Sequence, residues 1–315
     1  MRPRYDLLAL IVSAGLTVLA PAYAWDPVGH QVVAWIAWER MPEATRARAV
    51  TLLKAAPGDA DLASLLPPAS GAQPLALRER TLFARAAAWP DIVRDEGFPE
   101  RRAKYHHGTW HYIDRYWEKP GPDRPPRERL DLPVGRENVV ERLRVLSAAI
   151  ADPARPAREK AIDLAWVLHL TGDIHQPLHT ASRVTPAEPA GDRGGNLFPL
   201  AGEAEELHWY WDSAVTRAHG RRSWESETVW VARLAAALVR DHPPRLFAGR
   251  LALRAFETWA QEGHRICTNL VYPETLRRGQ RPPARYRWNV RRIAEPAMAL
   301  AGYRLAALLE ATLGR

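Results

Sequence analysis

The sequence predicts an all-α fold in a single domain, and three observations carry that prediction. Apolar residues recur at three- and four-residue steps along most of the chain, while the alternation of a half-buried strand is nearly absent. No internal repeat appears, and no linker is long enough to separate two cores. The chain has 315 residues, of which 47% are hydrophobic, enough for a sizeable core. General disorder is thereby excluded.

The periodicity places helices over residues 29–39, 42–55, 137–151, 158–173, 226–239, 252–269 and 293–313. Within 158–173, the stripe is marked by Ile162, Ala165, Trp166 and Leu170. Loops rich in Pro, Gly and charge fill 57–78, 118–135, 185–202 and 277–285. The second and third are long, and long loops in a compact domain are often functional.

Residues 1–24 read as an export signal. Arg2 and Arg4 form the positive end, residues 7–19 the apolar stretch, and Ala22-Tyr23-Ala24 a small-x-small cleavage site. The apolar run is short for a membrane span. Cleavage would leave a mature domain over 25–315 that begins at Trp25. No later segment reaches ~18 uninterrupted apolar residues. The expected product is therefore periplasmic or secreted, without stable membrane association. Cys267 is the only cysteine, so no internal disulfide can form. An exported chain of this kind must be stabilised by its core or by bound metal.

Lys and Arg total 44 against 36 Asp and Glu, a formal charge of +8. Only Lys54, Lys104, Lys119 and Lys160 are lysines, so the basic residues are almost all arginine. That skew fits a polyanionic partner, and it fits compositional bias on a solvated surface equally simply.

Eleven histidines are present, and several stand in suggestive company. His169 and Asp173 lie four apart, so on a helix both project from one face. Gly172 and Pro177 are expected to break that helix and let His179 turn back toward the same place. His208 and Asp212 repeat the spacing. Imidazole nitrogen with carboxylate oxygen is a donor mixture suited to zinc. A surface hydrogen bond would explain either pair alone. Both pairs, however, sit among Trp166, Leu170, Leu207, Trp209 and Trp211, where an unpaired charge is costly. Three further segments join them: Trp25-Asp-Pro-Val-Gly-His30, Trp89-Pro-Asp91 and Trp110-His111-Tyr-Ile-Asp114.

These five segments, in this order, resemble the trinuclear-zinc, single-strand-specific nucleases of the S-one and P-one type. The motifs run from Trp25 to Asp212, and the helical remainder is consistent with them. The resemblance implies three zinc ions. Asp91, His111, His169 and Asp173 would hold the first, and His179, His208 and Asp212 the second. Trp25, through its terminal amine and carbonyl, and His30 would hold the third, with Asp173 bridging to the first. Only cleavage after Ala24 frees that amine. The resemblance selects His111 over the nearby His106 and His107. His175 is left to support or packing, and His219, His242 and His264 to ordinary surface or core roles.

The implied activity is endonucleolytic hydrolysis of single-stranded DNA and RNA by zinc-activated water, leaving 5′-phosphates. Removal of 3′-phosphates from nucleotides is a further expectation, and the protein is expected to act as a monomer. Arg94 matches a family arginine that stabilises the pentacovalent phosphorus. Asp114 and Tyr112 match a base-contacting carboxylate and a stacking platform. Gly194-Gly195-Asn196 matches the family's loop, in which Asn196 would bond ligand or substrate. The segment 277–292, with Tyr286 and Trp288 among its arginines, is covered by no family motif. It reads as a solvated lead into the last helix, or as a track for a nucleic-acid backbone.

The chain lacks the disulfides and Asn-x-Ser/Thr sequons of fungal members. Its Pro-rich 118–135 loop replaces a cysteine-bearing region near the base pocket. Two rival readings remain. A zinc-dependent phospholipase C shares the fold type but uses Glu where this chain has Asp212. A non-catalytic periplasmic zinc-binding protein would close each site with four protein ligands, and the second site here offers three.

Overall fold

Asp26 opens the first helix by accepting a hydrogen bond from the Gly29 amide at 2.8 Å, with Pro27 preset for the first turn. The computed structural model describes residues 25–69, 73–121, 123–251 and 254–314. The export segment expected over 1–24 lies outside the described residues. The chain is mostly helical, as expected. Its helices are α1 Pro27–Arg40, α2 Glu43–Lys54, α3 Leu75–Ala86, α4 Trp89–Ile92, α5 Pro99–Tyr105 and α6 Val139–Ala151. They continue with α7 Ala157–Asp173, α8 Leu207–Asp212, α9 Ala214–Ala218, α10 Glu227–Asp241, α11 Phe256–Ile266 and α12 Ala284–Leu313.

Two helices are apolar nearly all round and form the centre. On α1 every residue from Gly29 to Trp38 is buried, and on α7 every residue from Asp163 to Asp173. α12 crosses α1, and α6 and α2 pack on α7. A single continuous cluster of buried side chains joins them, from Trp25 to Leu313.

Several expectations need correction. α3 and α5 lie in stretches read as loop or left unassigned: the first turn of α3 falls in the Pro-rich stretch 57–78, and α5 is seven residues long with Tyr105 its one buried side chain. A small three-stranded sheet also forms, in the order β2-β1-β3, from β1 Tyr116–Glu118, β2 Arg127–Glu128 and β3 Ser182–Arg183. β1 pairs antiparallel with β2 and parallel with β3. Two of these strands are two residues long, too short for an alternation to register. The last helix begins at Ala284 rather than 293. Pro282 and Pro283 precede its first turn, and Tyr286, Val290, Ala294 and Met298 continue its buried stripe at four-residue steps. The helix expected over 252–269 starts at Phe256 and closes in a π-helical turn, Cys267–Val271. Gly172 does not break α7. It lies inside the helix, where a β-carbon would stand 2.7 Å from His30 Nδ1.

The α1–α12 crossing is closest at Gly302, where a β-carbon would meet Ile36 Cβ and Cγ2 at 2.6 Å. Neither atom is the free end of a flexible chain. Gly302→Ala should therefore destabilise the fold by ~1–3 kcal/mol through overpacking. That loss outweighs the ~1 kcal/mol by which alanine improves helix propensity. Denaturant unfolding reads the sign directly, and a stabilised variant would contradict the crossing.

Candidate metal centre

α7 delivers two of the central side chains. His169 and Asp173, one turn apart, both face the α4 side, with His169 Nε2 3.4 Å from Asp173 Oδ2. His169 Nε2 also lies 3.7 Å from Asp91 Oδ1, on α4. The short 3₁₀ turn Gly108–His111 brings His111 Nδ1 to 3.0 Å from Asp173 Oδ2 and 3.0 Å from His169 Nε2. From α1, His30 stacks on the His169 ring at 3.8 Å and sets its Nε2 3.3 Å from Asp173 Oδ1. The Trp25 indole N–H donates to the Gly172 carbonyl at 3.0 Å, and the Asp26 amide donates to the Asp212 carbonyl. The chain around Trp25 is thereby held between the end of α7 and α8.

The second constellation is built from the 3₁₀ turn Pro177–Thr180 and from α8. His179 Nε2 and His208 Nε2 face one another at 3.0 Å, and Asp212 Oδ2 is 3.5 Å from His208 Nε2. Three groups of potential donors thus form: His30, Asp91 and His169; His111, His169 and Asp173; His179, His208 and Asp212. Within each group the donor atoms lie within 4.8 Å of one another, and every member is buried.

Protonation makes the demand for a cation explicit. His169 Nδ1 donates to the Ala87 carbonyl, His179 Nδ1 to the His111 carbonyl and His208 Nδ1 to the Gly194 carbonyl, each at 2.7 Å. A carbonyl only accepts, so each neutral ring carries its proton on Nδ1 and a bare lone pair on Nε2. Those lone pairs point into the clusters, where two of them meet head-on between His179 and His208. Asp91 Oδ2, Asp173 Oδ1, Asp212 Oδ2 and both His30 nitrogens are buried without a hydrogen-bond partner. Such atoms are expensive to bury unless a cation takes them up.

The proton affinities agree. Burial pushes the Asp91 carboxyl up to about 7 against the pull of Arg94. Burial also raises Asp173 and Asp212 well above the usual carboxylate range, the former with help from Asp91. Burial drives His30 down to about 3, and His111, His169 and His179 well below the ordinary imidazole value. Acids that resist ionising beside bases that resist protonation suit a metal, and the nitrogen–oxygen donor mixture suits zinc.

Around this cluster, Arg94 Nη2 contacts Asp91 Oδ1 at 2.6 Å and the His111 ring nitrogens at 3.2 Å. Tyr112 is 37% exposed, and Asp114 is held near it because the Ile113 amide donates to the His179 carbonyl. Burial and the neighbouring Asp192 push the Asp114 carboxyl up to about 6. Asn196 Nδ2 donates to the Arg193 carbonyl at 2.6 Å and closes its own turn. In that loop Gly194 has φ +59°, and a β-carbon there would meet the Leu178 carbonyl oxygen at 2.4 Å. His175 faces away, accepting from Arg304 at 2.8 Å and donating to the Thr171 carbonyl. His107 stacks on Trp110 at 3.8 Å, outside the cluster, and the His106 ring stands 6.5 Å from that of His111. His219 and His242 approach Glu295, and His264 approaches Glu128.

Two supporting residues carried no usable signal in sequence. Gln176 Nε2 donates to Asp212 Oδ1 at 2.6 Å, leaving Oδ2 directed at His208. Arg193, in left-handed backbone at φ +53°, lies close enough to lower the proton affinities of both Tyr112 and Asp114. Among so many arginines it could not be singled out, although Gln176 does stand between His175 and Pro177 in the strongest motif.

The profile of the family described as S1/P1 Nuclease matches residues 25–314. Endonuclease 2 of Arabidopsis thaliana is 24% identical over 231 residues, covering 71% of this chain and 62% of that relative. The chain thus spans less than two thirds of the length of that protein.

Gln176→Leu should weaken zinc binding about 10–100-fold, because Asp212 loses the partner that orients it. Zinc titration followed by thermal melting measures this. Unchanged affinity in a folded variant would show that Asp212 needs no such partner.

Proposed function

Because the chain belongs to the S1/P1 nuclease family, a zinc-dependent one, we propose that it hydrolyses phosphodiester bonds of single-stranded DNA and RNA. On this reading it leaves 5′-phosphate products, and the same site removes 3′-phosphates from nucleotides. The observation that carries the proposal is the presence of three buried donor groups, two of them sharing His169 of α7, with Arg94 on Asp91 and with Tyr112 and Asp114 close to one another after His111.

Three zinc ions are assigned as follows. Asp91, His111, His169 and Asp173 hold one, and His179, His208 and Asp212 another. Trp25 and His30 hold the third, with Asp173 shared. The 3.3 Å approach of His30 to Asp173 supports the sharing. When bound, zinc supplies Lewis acidity toward phosphoryl oxygens and lowers the pKa of water toward ~7.

The protein's own groups do the rest. The Nδ1–H bonds of His169, His179 and His208 to carbonyls lock each ring's orientation, so the site is preorganised before substrate arrives. Arg94, anchored by Asp91, offers its guanidinium to charge developing on the phosphoryl oxygens. Tyr112 presents a partly exposed ring on which an unpaired base can stack. Asp114 accepts from a base N–H, and with its affinity near 6 it is mostly ionised at neutral pH. Stacking on a protein ring requires a base free of its duplex partner, which accounts for single-strand preference.

Residues 1–24 are proposed to direct export to the periplasm or outside the cell, with cleavage freeing the Trp25 amine as a ligand. No helix among the described residues is long and apolar enough to cross a membrane.

The test is incubation of zinc-loaded protein beginning at Trp25 with single-stranded DNA, RNA, duplex DNA and phosphatidylcholine. Rapid cleavage of the first two is expected; hydrolysis of the lipid alone would reverse the assignment. Asp173→Asn should lower kcat more than about 100-fold, beyond the 10–100-fold of an outer-shell loss, and deplete two metals together. Full activity with three bound zinc ions in that variant would refute the shared-ligand arrangement.

A further inference from the structure

The segment 277–292 contains seven arginines and no acidic residue. Carboxylates from elsewhere neutralise part of this charge. Arg278 pairs with Glu188, Arg281 and Arg287 share Glu203, and Arg291 pairs with Glu295. Among the described residues, Arg277, Arg285 and Arg292 pair with no carboxylate.

Helix formation from Ala284 arranges the rest. Arg285, Trp288 and Arg292 are exposed and lie three, four and seven residues apart, on one face of α12. Trp288 is 56% exposed, and the Arg292 guanidinium stands 4.3 Å over its ring. An exposed indole beside a guanidinium offers a flat face on which an unpaired base can stack. The face begins at the positive end of a 30-residue helix whose N-cap, Pro283, supplies no side-chain cap.

The buried side of the same helix is anchored to elements that carry the donor groups. Tyr286, on the buried side of the same turn, accepts from the Trp211 indole of α8 at 2.9 Å. Arg278 donates to the Leu197 carbonyl, in the loop whose Gly194 carbonyl orients His208. On the far side, His219 bonds Glu295 at 2.6 Å and fastens the following loop against α12. That loop carries Trp224, 70% exposed, with Arg222 over its ring at 5.5 Å.

We propose that the Arg285–Trp288–Arg292 face of α12 is a docking track for single-stranded nucleic acid. It would hold the part of a long substrate lying beyond the scissile phosphate, with guanidinium groups on the backbone and Trp288 stacked on a base. Charge complementarity selects a polyanion, and the alternation of cation and indole is how sequence-tolerant single-strand binders grip one. The inference rests on the proposed substrate class and adds where that substrate extends.

The experiment compares Trp288→Ala and the double variant Arg285→Ala/Arg292→Ala with unaltered zinc-loaded protein, on a 30-residue oligothymidylate and on a dinucleotide. KM for the oligomer should rise roughly fivefold to tenfold at unchanged kcat, while dinucleotide cleavage stays as it was. The salt dependence of oligomer affinity should flatten by about 0.7 in log–log slope per arginine removed. Unchanged KM and slope, or equal losses on both substrates, would overturn the track. Anisotropy with an uncleavable phosphorothioate 30-mer separates the two proposals. Binding that depends on Arg285, Trp288 and Arg292 in a protein that cuts nothing would sink the hydrolytic reading and leave the track standing.

Discussion

Two imidazole nitrogens that face one another at 3.0 Å, each with its proton committed to a carbonyl behind it, repel unless something positive lies between them. At His169 the proton is likewise committed to a carbonyl, and its bare Nε2 faces His111 Nδ1 and the buried carboxylate of Asp173. Much of the fold serves to hold these groups in place. Burial opposes charge on the acids and on the bases alike, so neither can neutralise the other cheaply. A divalent cation satisfies both at once. On the proposed reading, metal held by these groups would cross-link α1, α4, α7, α8 and the two 3₁₀ turns, a staple that a chain with one cysteine cannot draw from a disulfide.

The chain buries charge in a second way that throws the first into relief. Arg304 is 1% exposed, on α12, yet its guanidinium is fully occupied. It meets both oxygens of Glu262, the Arg250 carbonyl and His175 Nε2. There the protein supplies every partner, and the result ties α12 to α11 and to the residues following α7. At the metal centre it supplies donors only. Polar networks inside one core thus divide into one whose members satisfy each other and one whose nitrogen and oxygen lone pairs converge as cation binding requires.

α7 connects the two. Because it is buried on every side, its position is set by packing against α1, α2, α6 and α12 rather than by solvent. His169 and Asp173 inherit that rigidity, as sites built on helices generally do. The groups for which a substrate role is expected or proposed sit elsewhere. Tyr112 and Asp114 follow a short turn, and Asn196 closes a surface loop. The outer face of α12 is anchored by Tyr286 and leaves its arginines to solvent.

The sequence by itself pointed to the fold class, to most of the helices and to eight His and Asp side chains that the fold gathers into buried groups. Helical periodicity is a local property, and a His–Asp pair four residues apart has one geometry on any helix. His30, Asp91 and His111 were legible because they stand in short motifs of fixed order, each containing a tryptophan. What depended on distant neighbours was not legible. The early start of α12 required knowing that Tyr286 and Val290 reach a core built by other elements. The three-stranded sheet joins residues some 65 positions apart, from Tyr116 to Ser182. The tautomer of each histidine was decided by the carbonyls of Ala87, His111 and Gly194, and a backbone oxygen has no signature in sequence. Gln176 and Arg193 acquire their roles from contacts across the fold. Residue type and spacing say which atoms can bind; only the packed structure decides which way a lone pair points.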